Sequence, residues 1–126
     1  MPRERLPPTR KGRTKRIHLR YSTEHGPAEL KLYISTGEYA DGRLGEIFLK
    51  SDKAGSTISG LLDALSITAS LALQSGVPVE TLVGKWTNLR FAPDGTTSDP
   101  KIPRVASIVD AVARWLRMRY MGGQVS

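Results

Sequence analysis

Large apolar side chains recur at every second position soon after Thr14: Ile17, Leu19 and Tyr21 alternate with Arg16, His18 and Arg20. Period two is the signature of a strand with one face buried. Beyond the Glu24-His25-Gly26-Pro27 turn the same alternation returns, with Leu30, Leu32 and Ile34 set between Glu29, Lys31 and Tyr33. The segment from Gly37 to Gly45, centred on Asp41-Gly42, reads as a hairpin connection. It leads to a third strand over Gly45–Lys50, with Ile47 and Leu49 on one face and Glu46, Phe48 and Lys50 on the other. The period then changes. From Ser56 to Ser75 the only charged residue is Asp63, and Ile58, Leu61, Leu62, Leu65, Ile67, Leu71 and Leu73 fall in nearly every angular sector. A helix apolar all round is expected to be buried all round. Gly76 and Pro78 stop it, and Pro78 opens a second helix that runs to Trp86. Asn88 to Pro103 reads as a loop, and Arg104 to Tyr120 as a last helix with Val105, Ile108, Val109, Val112, Trp115 and Leu116 as its apolar stripe. Three strands followed by three helices predict an α+β domain: a small antiparallel three-stranded sheet covered on one face by three helices.

The 126 residues, 39% hydrophobic and 25% charged, suit one globular domain. Residues 1–13 hold prolines and charges with Leu6 as their single large apolar side chain, so they are expected to form an extended basic arm, mobile unless something docks it. Residues 14–121 form the domain, and 122–126 a flexible tail. The formal charge of +7 lies wholly in the first 20 residues, where eight cations face one acid; the remainder holds 11 cations and 11 acids. Such a distribution speaks about partners rather than about fold. With no cysteine, the chain has no disulfide, thiolate metal site, redox dithiol or cysteine nucleophile. No apolar run is expected to reach the ~18 residues of a membrane span, and the charged N-terminus has no apolar segment of a secretory signal. The expected compartment is the cytoplasm.

Candidate chemistry is sparse. His18 and His25 stand seven apart without metal-ligand spacing, and no serine sits in a G-x-S-x-G elbow, so neither a metal site nor a catalytic residue is assigned. Asp63, lone in an apolar helix, is expected to need a buried cation such as Arg90, Arg104 or Arg114. Lys53, Gly55, Ser56 and Thr57, where a strand gives way to a helix, form a candidate anion or nucleotide site; the same residues serve equally as a helix cap. Gly55 and Gly60 have phosphate-loop spacing, but Leu61-Leu62 stands where that loop needs Lys followed by Ser or Thr. The third constellation is a nucleic-acid surface: Arg3, Arg5, Arg10, Lys11, Arg13, Lys15, Arg16 and Arg20 to neutralise phosphates, and Tyr33 and Phe48, on the outward sheet face with His18, Lys31 and Lys50, to stack bases. An oligomer interface uses the same face equally well.

Several stretches carry a resemblance. Arg3-Glu4-Arg5-Leu6-Pro7-Pro8-Thr9-Arg10, Gly45–Lys50, Gly55–Ala64, Ser70–Val83, Ser107-Ile108-Val109-Asp110 and Arg114-Trp115-Leu116, in this order, resemble the C-terminal TSCPD domain of adenosylcobalamin-dependent (class II) ribonucleotide reductases. The resemblance runs from about Arg3 to Leu116. The Thr-Ser-Cys-Pro-Asp string that gives the family its name corresponds to Ala106-Ser107-Ile108-Val109-Asp110 here, without the cysteine. Ribonucleotide reduction uses a thiyl radical and reducing cysteine pairs, and this chain supplies none of them. The resemblance therefore implies a non-catalytic accessory or regulatory domain in deoxynucleotide metabolism, free of any cofactor and acting through a nucleotide, a nucleic acid or a protein. The alternatives are an independent nucleic-acid-binding module that uses the arm and the outer sheet face, and an enzyme built around Asp63 or the Ser56-Thr57 turn. The partners implied are a nucleotide or nucleic acid, a ribonucleotide reductase-type protein, or a second copy of the chain, and no membrane.

Overall fold

A computed structural model of the chain describes residues 2–53 and 56–122. Its frame is a long hairpin of β1 (Thr14–Thr23) and β2 (Gly26–Glu38), paired antiparallel from Thr14 opposite Ser35 to Thr23 opposite Gly26. Gly26 closes the turn at φ +106°, a conformation that favours glycine. β3 (Leu44–Ser51) pairs with β2, with a bulge at Gly37/Glu38. The helices are α1 (Thr57–Gln74), α2 (Val79–Trp86) and α3 (Ile108–Tyr120). The inward side chains Ile17, Leu19, Leu30, Leu32, Ile34, Ile47 and Leu49 are buried, and Leu62, Leu73, Val83, Ile108, Val112, Trp115 and Leu116 join them from the helices in one core cluster.

The α+β class agrees with the periodicity, but the sheet has five strands and not three. β4 (Gly95–Thr97) and β5 (Arg104–Val105) extend it on the β1 side, in the order β3-β2-β1-β4-β5. Strands of three and two residues are too short to show alternation, so their segment reads as a loop until its pairing is seen. A tertiary contact fixes β4: a Cβ on Gly95 would lie 2.0 Å from the Arg20 carbonyl oxygen, so the strand approaches β1 only with glycine there. The last helix is also shorter than expected. It starts at Ile108 because Ser107 caps it, its hydroxyl accepting the Asp110 N–H at 3.0 Å, which leaves Arg104-Val105 free to join the sheet.

The expectation that α1 is buried all round is overturned as well. α1 lies along the free edge of β3, and three residues spaced four apart stand in for a sixth strand. The Ser66 hydroxyl accepts the Leu49 N–H at 2.9 Å. Ser70 accepts the Ile47 N–H and donates to the Ile47 carbonyl, at 3.0 and 3.1 Å. The Gln74 amide donates to the Gly45 carbonyl at 3.0 Å. An exposed strand edge is a template for aggregation, and these side chains occupy it. Because this polar side of α1 faces the sheet, its opposite side keeps Leu61, Ile67 and Leu71 exposed, at 65, 64 and 42%. By length and composition alone α1 is just apolar enough to cross a membrane, but it packs on β3.

The arm runs docked across the same end of the molecule. Arg13 and Lys11 carbonyls accept the Thr36 and Glu38 N–H groups at 2.9 and 2.8 Å, which prolongs the pairing with β2. Farther out, the Glu4 N–H donates to the Gln74 carbonyl at 2.7 Å, and the Tyr39 hydroxyl donates to the Glu4 carbonyl at 2.5 Å. Leu6 sits over Gly45 and Tyr39, where a Cβ on Gly45 would come within 2.6 Å of it. Arg43 stacks on Tyr39 at 4.5 Å and clamps Glu4 at 2.9 and 3.0 Å, holding the Glu4 carboxyl below its ordinary range.

The C-terminal end of α3 is tied to β2 by Tyr120, whose hydroxyl donates to Glu38 Oε2 at 2.6 Å and lies 2.8 Å from Thr36 Oγ1. Burial, and after it the Glu38 carboxylate, push the phenol up to about 12. The unfolded phenol ionises near pH ~10, so between pH ~10 and ~12 only the folded chain keeps this proton, and its contribution to stability fades as pH rises through that window. The expected outcome is that Tyr120→Phe melts below the wild type by a constant margin up to pH ~10, and that the margin narrows toward pH ~12 in thermal melts across the range.

Candidate functional site

The residues that the structure converges on lie at the start of α3. Ser107 caps α3 by accepting the Asp110 N–H, and Asp110 Oδ2 reaches back past the cap residue to accept the Ala106 N–H at 2.8 Å. The other oxygen, Oδ1, accepts the Asn88 N–H at 2.7 Å and Arg114 Nε at 3.0 Å. Arg114 Nη2 in turn donates to Asn88 Oδ1 at 2.6 Å. The Asp110 side chain is fully buried while Arg114 stays 37% exposed, so the carboxylate rather than the guanidinium depends on its partners. Asn88 is held by these contacts at φ +66°, the only left-handed non-glycine among the described residues. Ser107 adds a second tie by donating to the Leu89 carbonyl at 2.6 Å. Ile108 and Val109 point into the core, at 4 and 8% exposure.

The expectations for Asp63 move to Asp110. Asp63 is exposed on the outer side of α1 and its nearest cation is Lys50 at 3.6 Å, not Arg90, Arg104 or Arg114. It sits in solvent because only one side of α1 is covered. The signal for Asp110 was present as the Ser-x-x-Asp spacing ahead of an apolar stripe. Its depth was not, because burial depends on the 87–91 segment folding back over the helix start.

Of the candidate anion residues, Gly55 lies outside the described residues. Ser56 caps α1: its hydroxyl accepts the Ser59 N–H at 3.2 Å and donates to the Lys53 carbonyl at 2.5 Å. Thr57 and Lys53 are exposed beside it. The arm cations divide. Arg10 is clamped on Glu46 at 2.8 and 3.0 Å, Arg13 lies 3.5 Å from Glu38, Lys15 3.0 Å from Asp99 and Arg20 3.5 Å from Glu29. Arg3 donates to Gln74 Oε1 at 2.5 Å. Among the described residues, Arg5, Lys11 and Arg16 have no carboxylate within 4.0 Å. On the helix-free face of the sheet, Arg16 stands opposite Tyr33 and Tyr33 opposite Lys50, a cation-aromatic-cation row across β1, β2 and β3. Phe48 lies beside it, 48% exposed, while His18 is paired with Glu29 at 2.9 Å. Burial opposes the charge on Asp99, but the Lys101 N–H and the Lys15 ammonium outweigh it and hold the carboxyl below its ordinary range. Among the described residues no three acids or histidines gather closely enough to hold a metal ion.

The family model of the TSCPD domain matches residues 4–120. This chain belongs to the TSCPD domain family. This TSCPD domain is 48% identical over 89 residues to the vitamin B12-dependent ribonucleotide reductase of Streptantibioticus cattleyicolor, covering 71% of the chain and 15% of that protein. The reductase of the same name from Rhodopirellula baltica is 41% identical over 121 residues, 96% of the chain and 11% of that protein. That of Bradyrhizobium diazoefficiens is 38% identical over 120 residues, 94% and 9%. The chain thus spans about a tenth of the length of these curated relatives. No solved structure matches it. In this TSCPD domain Ser107 and Asp110 form the cap of α3, and Ile108 and Val109 between them are buried.

Asp110→Ala would leave the Asn88 and Ala106 N–H groups without their acceptor, and is expected to lower stability by about 2–4 kcal/mol. Asp63→Ala, which loses one exposed contact, is expected to stay within about 0.5 kcal/mol of the wild type. Urea unfolding of the two variants side by side checks both.

Proposed function

We propose that this chain is an accessory domain of the ribonucleotide reductase kind that acts by contact, in the cytoplasm, and carries no redox chemistry of its own. The observation that carries the reading is the outward side of α1, where Leu61, Ile67 and Leu71 are each exposed to water. Apolar groups of this size gathered on one face mark a contact surface. In the relatives the matching segment is a tenth of a longer reductase, and their remaining length is the natural counterpart for such a face. The chemistry of the motif supports contact over catalysis: with zero cysteines it offers no thiyl radical, and the Asp110 carboxylate is engaged by two backbone N–H groups and Arg114. The test is binding, by surface plasmon resonance, to the B12-dependent reductase of the same source with its own C-terminal segment removed. The intact chain is expected to bind and Leu61→Glu/Ile67→Glu to lose binding while melting at the wild-type temperature. Equal binding by both, or by neither, refutes the docking role.

The sheet face favours a second reading, a nucleic-acid surface. The row Arg16, Tyr33, Lys50 with exposed Phe48 offers stacking faces between cations, and Arg5 and Lys11 extend its charge along the arm. On this reading the logarithm of affinity for a single-stranded oligonucleotide falls with that of salt by about 0.7 per phosphate neutralised. Tyr33→Ala is expected to weaken binding at every salt concentration, and Arg16→Ala to make the salt slope shallower. A flat salt response of the intact chain removes this reading.

A further inference from the structure

We propose that a cavity between α3, the segment after α2 and the β4–β5 connection binds a small anion carrying two or more phosphoryl groups. The cavity is about 340 Å³, within the size range of small-molecule sites. Lys101, Arg114 and Arg117 converge on it from two elements, Thr87 and Asn88 supply polar wall, and Ile102 and Met118 an apolar ledge. No carboxylate lines it. The two neighbouring hollows share residues with it but each contains its own acid: Asp99 beside Lys101, and Asp94 and Asp110 beside Arg114. Those acids are paired, Asp99 with Lys15 at 3.0 Å and Asp94 with Arg90 at 3.6 Å. Arg114 is paired with Asp110, but among the described residues neither Lys101 nor Arg117 has a carboxylate within 4.0 Å, so two of the three cations of the central cavity are uncompensated.

The site is also organised before any ligand arrives. Arg114 is aimed by two contacts, Asp110 on Nε and Asn88 on Nη2, which leave the other end of its fork uncommitted. Asn88 is itself held in the left-handed region by the buried Asp110 carboxylate, and non-glycine residues in that region concentrate where a binding surface is built. A guanidinium fixed in this way recognises phosphoryl oxygens in a set geometry, with Lys101 and Arg117 as further charges. With the free end of the Arg114 fork and two further unpaired cations, the cavity offers donors to more than one phosphoryl group, and the Ile102-Met118 ledge accommodates a small organic group attached to it. This inference does not use the outward face of α1 or the sheet face, and it stands or falls independently of both.

The experiment is isothermal titration of the full chain with sodium pyrophosphate at constant ionic strength, alongside ADP and orthophosphate. Saturable binding of pyrophosphate is expected, tighter than orthophosphate, and Arg117→Ala and Lys101→Ala are each expected to weaken it about tenfold or more. Neither residue holds the fold, so both variants should melt with the wild type; Lys31→Ala, on the sheet face, should leave affinity unchanged. ADP binding more tightly than pyrophosphate supports a nucleoside diphosphate on the apolar ledge, and equal affinities support recognition of the diphosphate group alone. Failure of pyrophosphate to saturate by roughly 10 mM, equal weakening by Lys31→Ala, or binding confined to oligonucleotides would overturn the proposal.

Discussion

The buried carboxylate of Asp110 binds together parts of the chain that have little else in common. It closes the cap of α3, holds the backbone of Asn88 where α2 gives way to the sheet, and aims Arg114 one turn farther along its own helix. An ionised group with no solvent contact is tolerated only when its oxygens are satisfied, and here Oδ1 and Oδ2 both have partners. The geometry of the basic cavity follows from that constraint, since two of its walls, Asn88 and Arg114, are positioned by this one side chain. Ser107 and Asp110 are thus the two ends of a structural knot at the start of α3.

The other end of the molecule is organised by the unpaired edge of β3. Ser66, Ser70 and Gln74 bond that edge, so the buried side of the helix that carries them mixes these polar groups with Leu62, Ala69 and Leu73, while Leu61, Ile67 and Leu71 are left in water. The arm then crosses the same corner, with Glu4 on Gln74 and Arg43, and Arg10 on Glu46. Charge that looks like a uniform basic tail in the sequence is therefore divided between internal pairing and outward-facing cations, and what remains available to a partner is smaller and more localised than the formal +7.

Much of the fold was legible along the chain because periodicity is a local property. The alternation of Ile17, Leu19, Leu30, Leu32, Ile34, Ile47 and Leu49 placed the three long strands, and capping and stop residues placed α1 and α2 to within a residue or two. β4 and β5 could not be read this way: they are strands only by virtue of the neighbours they pair with, β1 and each other. The last helix was misplaced at its start because Val105 continues the apolar stripe numerically while its backbone joins the sheet.

For the candidate site the division is similar. Composition alone determined that no cysteine chemistry is available, and the order of residues alone carried the likeness to the TSCPD domain. Only the tertiary structure decided which acid is buried, which side of α1 meets water, and that Lys101, Arg114 and Arg117 share a cavity. The physical reason is one of range. Helix and strand periods, caps and turns depend on residues within a few positions of each other, whereas burial and the pairing of charges depend on segments such as 87–91, 101–102 and 110–117 that meet only after the chain has folded.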